Sequence, residues 1–455
     1  MMSACLLSEL ESPVKGHLLG ADCEVKSVSI DSRQPQAGAL FVALEGENFD
    51  GHNFIGQAAE SGAVAAVVAH DVESALPLLR VADTQHALGL IAAHNRNAFE
   101  GTLVAITGSS GKTTVKNMIH AVLSQRGSTL ATRGNLNNEI GVPLTLLDLS
   151  LEHEFAVVEM GAGSRGDIAW LCELGRPSIA LLLNALPAHL EGFGSVEAIA
   201  EAKGEIFDEL GSAGTAVINA DQPWADQWRE RARPATVMDY GLSHAAAVTA
   251  NNIELRGIDG VSFTALTPVG EIQMTLHFAG MHNVSNALAA IAVGLSCKLS
   301  LEDIRKGLES VAPVAGRLSV QRFLNGVNVI DDCYNANPGS VRAAIDVLAA
   351  CPGRRTLVLG AMRELGDDSA KLHREIGAYV REAGIDELWG VGPELACAVE
   401  AFGGSGRHFA DREMAITALP GAFTAGDTVL IKGSRGAAME HILSALRDDG
   451  LGSEG

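Results

Sequence analysis

The chain has 455 residues, too many for one hydrophobic core, and that length calls for roughly three domains. Its composition is that of a soluble globular protein, and its formal net charge of −22 argues against non-specific binding to nucleic acid or anionic membranes. No apolar run approaches a membrane span, Met1–Leu10 lacks the basic and apolar regions of a signal peptide, and the seven cysteines, with no CxxC pair, read as free thiols in a reducing cytoplasm.

Residues 1–84 read as a small αβ segment. Short strands are predicted at Ser27–Ile30 and Leu40–Leu44, a helix from His52 to Ser61 closed by Gly62, and a strand from Val64 to Ala69.

The segment 85–314 opens with a helix near His86–Phe99. The apolar run Thr102–Ile106 then predicts a buried strand and Val115–Leu123 a helix. Between them lies Gly108-Ser109-Ser110-Gly111-Lys112-Thr113-Thr114. A strand, a glycine loop and a helix N-terminus in that order make a phosphate cradle, because the backbone N–H groups and the helix dipole both favour negative charge there. Lys112 would reach the terminal phosphates, and the Thr113 hydroxyl would hold magnesium. Ile106 stands where the longer P-loop form has glycine, so this is the compact GxxGK[ST] form; the alternative is an ordinary glycine-rich βα turn.

Further strands are predicted at Phe155–Met160, Ile179–Asn184 and Thr215–Asn219, with helical stretches between them, hence a parallel sheet covered on both faces. The turn signals Asp259-Gly260 and Pro268-Val-Gly270 predict an antiparallel appendage within 245–280, before a helix from Asn283 to Leu295. The last segment, 315–455, opens on a hairpin turn at Asn325-Gly326. It then alternates strands (Thr356–Leu359, Glu387–Gly390, Thr428–Ile431) with helices near 338–350, 369–384 and 436–447, a second doubly wound unit.

Ligands of open parallel sheets bind at the carboxyl ends of the strands. Glu159 ends one strand of the middle segment and could hold magnesium, or be a surface acid. His189 follows another; it is a metal ligand or an ordinary polar loop residue. Beyond Ser195, an N-cap, the apolar positions Val196, Ile199, Ala200, Phe207 and Leu210 place Lys203 on the buried stripe, while Glu197, Glu201 and Glu205 fall on the solvent face. Burial would lower the pKa of that lysine and free its amine for reaction; the alternative is a side chain snorkelling to the stripe's edge.

The phosphate loop, Glu159 with its glycine, Asn184-Ala-Leu-Pro-Ala-His-Leu-Glu-Gly-Phe-Gly194 and Ala202-Lys-Gly-Glu-Ile-Phe207 resemble the ATP-dependent Mur ligases of bacterial cell-wall synthesis. Asp31-Ser-Arg33, Gly38–Leu44, Asn135–Pro143, Asn283–Ala287, Gly316-Arg317, Asp331–Pro338 and Lys432–Ala437 extend the resemblance over all three segments. The resemblance implies an α/β protein of three domains: one for the UDP end of a substrate (1–84), a central P-loop parallel-sheet ATP-binding domain (85–314) and a C-terminal Rossmann-like domain (315–455) that closes over the site.

It also implies the chemistry. ATP, two magnesium ions and a carbamate on Lys203 would serve an amide-forming ligase working through an acyl phosphate. The metal ligands would be Thr113, Glu159, His189 and the carbamylated Lys203, with Lys112 beside them. Asn283 and Asn286 would lie near adenine, and Arg317 and Asp332 near phosphates and ribose. Ser32 and Arg33 would touch the UDP part, although Arg33 could equally form a surface salt bridge. Tyr334, Asn335, Asn135, Asn138 and Arg435 are further substrate contacts, the last three open to a purely structural loop role. Tyr334–Pro338 and Lys432–Arg435 favour the member that joins D-alanyl-D-alanine to UDP-N-acetylmuramoyl-tripeptide over the tripeptide-forming and folylpolyglutamate ligases. A cytoplasmic monomer with small-molecule substrates and no nucleic-acid or membrane partner is expected. Two departures stand out: Ala162-Gly-Ser164 where the family has alanine then asparagine, and Ala361 where it commonly has aspartate.

Overall fold

A computed structural model describes residues 2–34, 37–46, 48–187, 190–323 and 326–448. The chain builds three main sheets in succession. The first has the order His17–Leu19, Leu78–Arg80, Ala63–Val68, Ala39–Val42, Ser27–Ser29, and is parallel except at its first pair.

The central sheet is wholly parallel, in the order Thr129–Ala131, Phe155–Glu159, Thr102–Thr107, Ile179–Leu182, Thr215–Asn219, Thr236–Tyr240. Strand alternation explains why its members are apolar throughout. Leu103 and Ala105 enter the core on one face, and Val104 and Ile106 the core on the other, all four fully buried. On the first face Thr84–Asn97 packs against Gly141–Leu147 and Asp167–Gly175; on the second, Lys112–Leu123 packs against Met281–Ser296 and Leu301–Glu309. Asn95 ties the chain's start to this domain: its Oδ1 accepts from the Ser3 N–H at 3.1 Å, and its Nδ2 donates to the Leu146 carbonyl at 2.9 Å.

The expected appendage is a three-stranded antiparallel sheet, Thr249–Leu255, Val261–Thr267 and Gly270–Leu276. The last domain has the order Ser319–Arg322, Asn328–Asp332, Thr428–Lys432, Arg355–Gly360, Glu387–Val391, Arg407–Phe409, parallel except for its antiparallel first pair. Among the described residues no helix is long and apolar enough to cross a membrane.

One expectation fails locally. Glu205 does not lie on the solvent face: it is 9% exposed and accepts the Gly166 N–H at 3.0 Å and the Ala169 N–H at 3.2 Å. The helix Val196–Gly204 tightens into a 3-10 turn, Glu205–Phe207, which changes the angular step and swings the carboxylate onto the free N–H groups opening Asp167–Gly175. The neighbouring strand also stops early, at Leu182 rather than Asn184, and this frees Asn184 for the work described next.

Candidate active site

The central strand Thr102–Thr107 lies between Phe155–Glu159 and Ile179–Leu182, so the ends of three adjacent strands meet at one edge. The loop after it turns through Gly108 and then Gly111, whose φ of +85° is the left-handed conformation natural to glycine, before the helix Lys112–Leu123 begins. The loop is pinned from the neighbouring strand end. Ser110 N–H donates to Asn184 Oδ1 at 3.0 Å, Asn184 Nδ2 donates to the Ser110 carbonyl at 3.1 Å, and Ser109 N–H donates to the Asn184 carbonyl at 3.1 Å. Ser109 Oγ and the Leu186 backbone make two more contacts, at 3.0 and 3.1 Å.

Glu159 is 2% exposed and held by several elements. Thr113 Oγ1 donates to its Oε2 at 2.9 Å, Asn137 Nδ2 donates to its Oε1 at 2.8 Å, and its own N–H donates to Thr132 Oγ1 at 2.9 Å. The Lys116 ammonium lies 3.8 Å from Oε2 and donates to the Gly134 carbonyl at 3.2 Å. Lys112 Nζ folds back onto the Gly108 carbonyl at 2.7 Å. Burial lowers the Lys112 pKa; Glu159 opposes that shift and Arg317 adds to it.

Lys203 is 2% exposed, the buried one of the two alternatives that the stripe left open. It has no hydrogen-bond or ion-pair partner among the described residues, and burial, helped by the charge on Lys112, brings its pKa down to about 7. The snorkelling alternative is excluded by that depth. His189 lies outside the described residues.

The facing wall comes from the last domain. Asp332, at a strand end, pairs with Lys432 Nζ at 2.5 Å and accepts the Leu318 N–H at 3.2 Å. Lys432 also donates to the Asn335 carbonyl at 2.9 Å. Burial raises the Asp332 pKa against the pull of Lys432. The Arg317 guanidinium lies 4.0 Å from the centre of the Tyr334 ring, with Arg435 on the same ring at 6.0 Å. Asp331 serves the turn itself, accepting from the Gly316 and Cys333 N–H groups at 2.9 and 3.2 Å.

Between the walls is a cavity of about 510 Å³. Ser109 to Thr114, Asn135, Glu159, Asn283, Asn286, Arg317, Asp332, Tyr334 and Asn335 line it, so the fold gathers most of the residues singled out in the sequence. Asn286 Nδ2 donates to Asn283 Oδ1 at 2.9 Å, and Asn283 Nδ2 to the Ala279 carbonyl at 2.8 Å.

Others stand apart. Asn138 Oδ1 accepts the Gly141 N–H at 2.9 Å, the structural role left open for it. Arg33 pairs with Asp31 at 2.7 Å on the surface, and Ser32 Oγ donates to Gln57 at 3.0 Å, both in the first domain. In the departing loop, Asp167 gathers the Gly163 and Ser164 N–H groups at 2.9 Å, so its shape is fixed without an asparagine. At the other departure, the carbonyl of buried Ala361 accepts the Ser434 hydroxyl at 2.6 Å.

Sequence reasoning missed Asn137, Lys116, Asn184 as a clamp, His282 and Lys432. Signals existed for two: Lys116 sits one helical turn after Lys112, and Lys432 opens the quoted Lys-Gly-Ser stretch. His282 also lines the cavity, and burial, with Lys432 nearby, takes its pKa down to about 4.

Residues 24–96 match the Mur ligase family catalytic domain, 106–294 the Mur ligase middle domain, and 316–435 the Mur ligase glutamate ligase domain. The UDP-N-acetylmuramoyl-tripeptide–D-alanyl-D-alanine ligase of Escherichia coli is 44% identical over 99% of this chain and 100% of its own length. The enzyme of the same name from Haemophilus influenzae is 38% identical over 97% of this chain and 98% of its own. Among solved structures, MurF from Acinetobacter baumannii superposes with a TM-score of 0.92 at 36% identity, over 98% of this chain and 99% of that one. MurF from Thermotoga maritima in complex with ADP gives 0.85 at 30% identity, over 93% and 98%. The chain belongs to the Mur ligase family.

Proposed function

We propose that this chain is an ATP-dependent carboxylate–amine ligase that joins D-alanyl-D-alanine to UDP-N-acetylmuramoyl-tripeptide, giving ADP and phosphate. It would act as a cytoplasmic monomer in peptidoglycan precursor synthesis, with domains at 1–84, 85–314 and 315–455. One observation carries the reading. The phosphate loop with Thr113 and Glu159 on one wall faces Arg317, Asp332 and Lys432 on the other, across a cleft with room for a nucleotide. The full-length similarity to enzymes of that name supports the substrate pair.

The reaction has two requirements. Two anions must be brought together, and the acyl phosphate must be kept from water. The substrate carboxylate attacks the γ-phosphorus of ATP and ADP leaves; the dipeptide amine then adds to the acyl carbon, and the tetrahedral intermediate expels phosphate. Lys112 and the loop N–H groups would draw charge from the phosphates, and Arg317 would reach them from the opposite wall. Asn283 and Asn286 would border the adenine and Asp332 the ribose. Tyr334, Asn335, Asn135 and Arg435 would face the reacting substrates, and Ser32 and Arg33 the UDP end. Closing the last domain over the cleft would exclude water and align the amine.

Thr113 and Glu159 offer a hydroxyl and a carboxylate, hard oxygen donors 2.9 Å apart on the cavity wall, and so fit magnesium. Bound there, the ion would neutralise phosphate charge. Lys203 fits a carbamate: its buried amine has no partner among the described residues, and a pKa of about 7 leaves much of it neutral and nucleophilic toward carbon dioxide. Together with His189, the carbamate would hold a second magnesium. The test is phosphate release from ATP with UDP-muramoyl tripeptide, with and without D-alanyl-D-alanine. Release that depends on both substrates is expected; release indifferent to the dipeptide overturns the reading.

A further inference from the structure

Lys116 is 3% exposed, on the buried side of the helix that opens at the phosphate loop. A cation so deep costs several kcal/mol in lost hydration unless it is partnered. Its partners are the Gly134 carbonyl at 3.2 Å and Glu159 Oε2 at 3.8 Å. Thr113, three residues earlier on the same helix, donates to that same oxygen at 2.9 Å. Gly134 belongs to the segment that also brings Thr132 to the Glu159 N–H and Asn137 to its Oε1. The described cavity wall includes Thr113, Asn137 and Glu159 but not Lys116. Lys116 is thus in contact with Glu159 without lining the cavity itself.

We propose that Lys116 is a positioning residue of the metal site, its ammonium standing in for the divalent ion as the counter-charge of Glu159 and tying that carboxylate to the segment 132–137. The proposal rests on the reading that Thr113 and Glu159 hold magnesium. Two consequences follow from charge. Without metal, Lys116 gives the buried carboxylate a counter-charge at 3.8 Å, beside the hydrogen bonds from Thr113 and Asn137. With metal, a cation so close to Glu159 repels the ion, weakening its binding and favouring release after turnover.

The experiment is thermal unfolding of the full-length wild type, Lys116→Met and Lys116→Arg, in EDTA and in magnesium with ADP, together with the magnesium midpoint for ADP binding. Lys116→Met is expected to lose about 5 °C or more in EDTA and less than half of that with magnesium and ADP. Its magnesium midpoint should fall about threefold or more, while Lys116→Arg stays near wild type in both conditions. An equal loss in the two conditions, or an unmoved midpoint, marks a packing role and overturns the proposal. If Lys116→Met does not fold, the double variant Lys116→Met/Glu159→Gln decides: it should fold as well as Glu159→Gln alone, and its failure overturns the charge argument. A wild type that gains no stability from magnesium beyond ADP alone defeats the metal reading itself, and this proposal with it.

Discussion

Asn184 and Ser110 exchange two hydrogen bonds, side-chain amide against backbone amide, at 3.0 and 3.1 Å across 74 residues of sequence. The arrangement fixes the peptide in the middle of the phosphate loop from the neighbouring strand end. Asn184→Ala removes both bonds and leaves two polar backbone groups wanting partners. We expect ADP affinity to fall about tenfold or more, with a modest loss of stability, as one to two lost hydrogen bonds would give. Titration calorimetry with ADP checks it, and an unchanged dissociation constant refutes it.

Gly111 meets two constraints at once. Its φ is +85°, and a Cβ built there would come within 3.0 Å of Asn286 Oδ1. Gly111→Ala should cost about 1–2 kcal/mol in backbone strain alone. It should also push Asn286 away from Asn283, so nucleotide affinity and melting temperature fall together. A variant that binds ADP normally would show that the loop relaxes freely.

Lys203 gives a pH signature. Its folded pKa is about 7, against 10.5 for the ordinary amine. Between those values the folded state holds it neutral while the unfolded state still carries the proton, so folding releases a proton and stability rises with pH. In carbon-dioxide-free buffer the wild type should gain on Lys203→Met by up to about 4 kcal/mol as pH climbs from 7 toward 10.5. Parallel urea-denaturation profiles for the two proteins would contradict this. Lys203→Ala should be nearly inactive and partly restored by a short carboxylic acid in place of the carbamate.

Asp332 and Lys432 form a buried ion pair at 2.5 Å, each less than a tenth exposed. Lys432→Met strands the carboxylate and should destabilise the protein by about 3–5 kcal/mol at pH 7. Burial already raises the Asp332 pKa, and loss of the cation raises it further. The neutral acid is easier to bury, so the deficit relative to wild type should shrink as pH falls toward 5. Chemical denaturation at the two pH values reads this directly; a deficit that does not change with pH would mean that Asp332 stays ionised without its partner.

The local patterns were strong enough to be read along the chain. Gly108 to Thr114 between an apolar strand and a helix, the turn signals in 245–280, and Lys203 at helical spacing with Ile199 and Phe207 all reflect interactions within a few residues or simple periodicity. The miss at Glu205 has the same origin. A helical step carried past Gly204 points Glu205 to solvent, whereas the chain there tightens into a 3-10 turn and the carboxylate meets N–H groups of another helix, distant in the sequence.

The sequence by itself determined the phosphate loop, the alternation that makes parallel sheets, and the place of Lys203 on an apolar stripe, because backbone geometry and apolar spacing are local properties; that Lys203 lies deep and does not snorkel was decided by the tertiary structure. Only the tertiary structure decided which polar groups share a partner. Thr113, Lys116, Asn137 and Thr132 converge on Glu159, and Asn184 clamps Ser110, through contacts that bring distant segments within hydrogen-bonding reach. A hydrogen bond is selected by distance and direction in space, and the order of strands in a sheet, not their order in the chain, sets both.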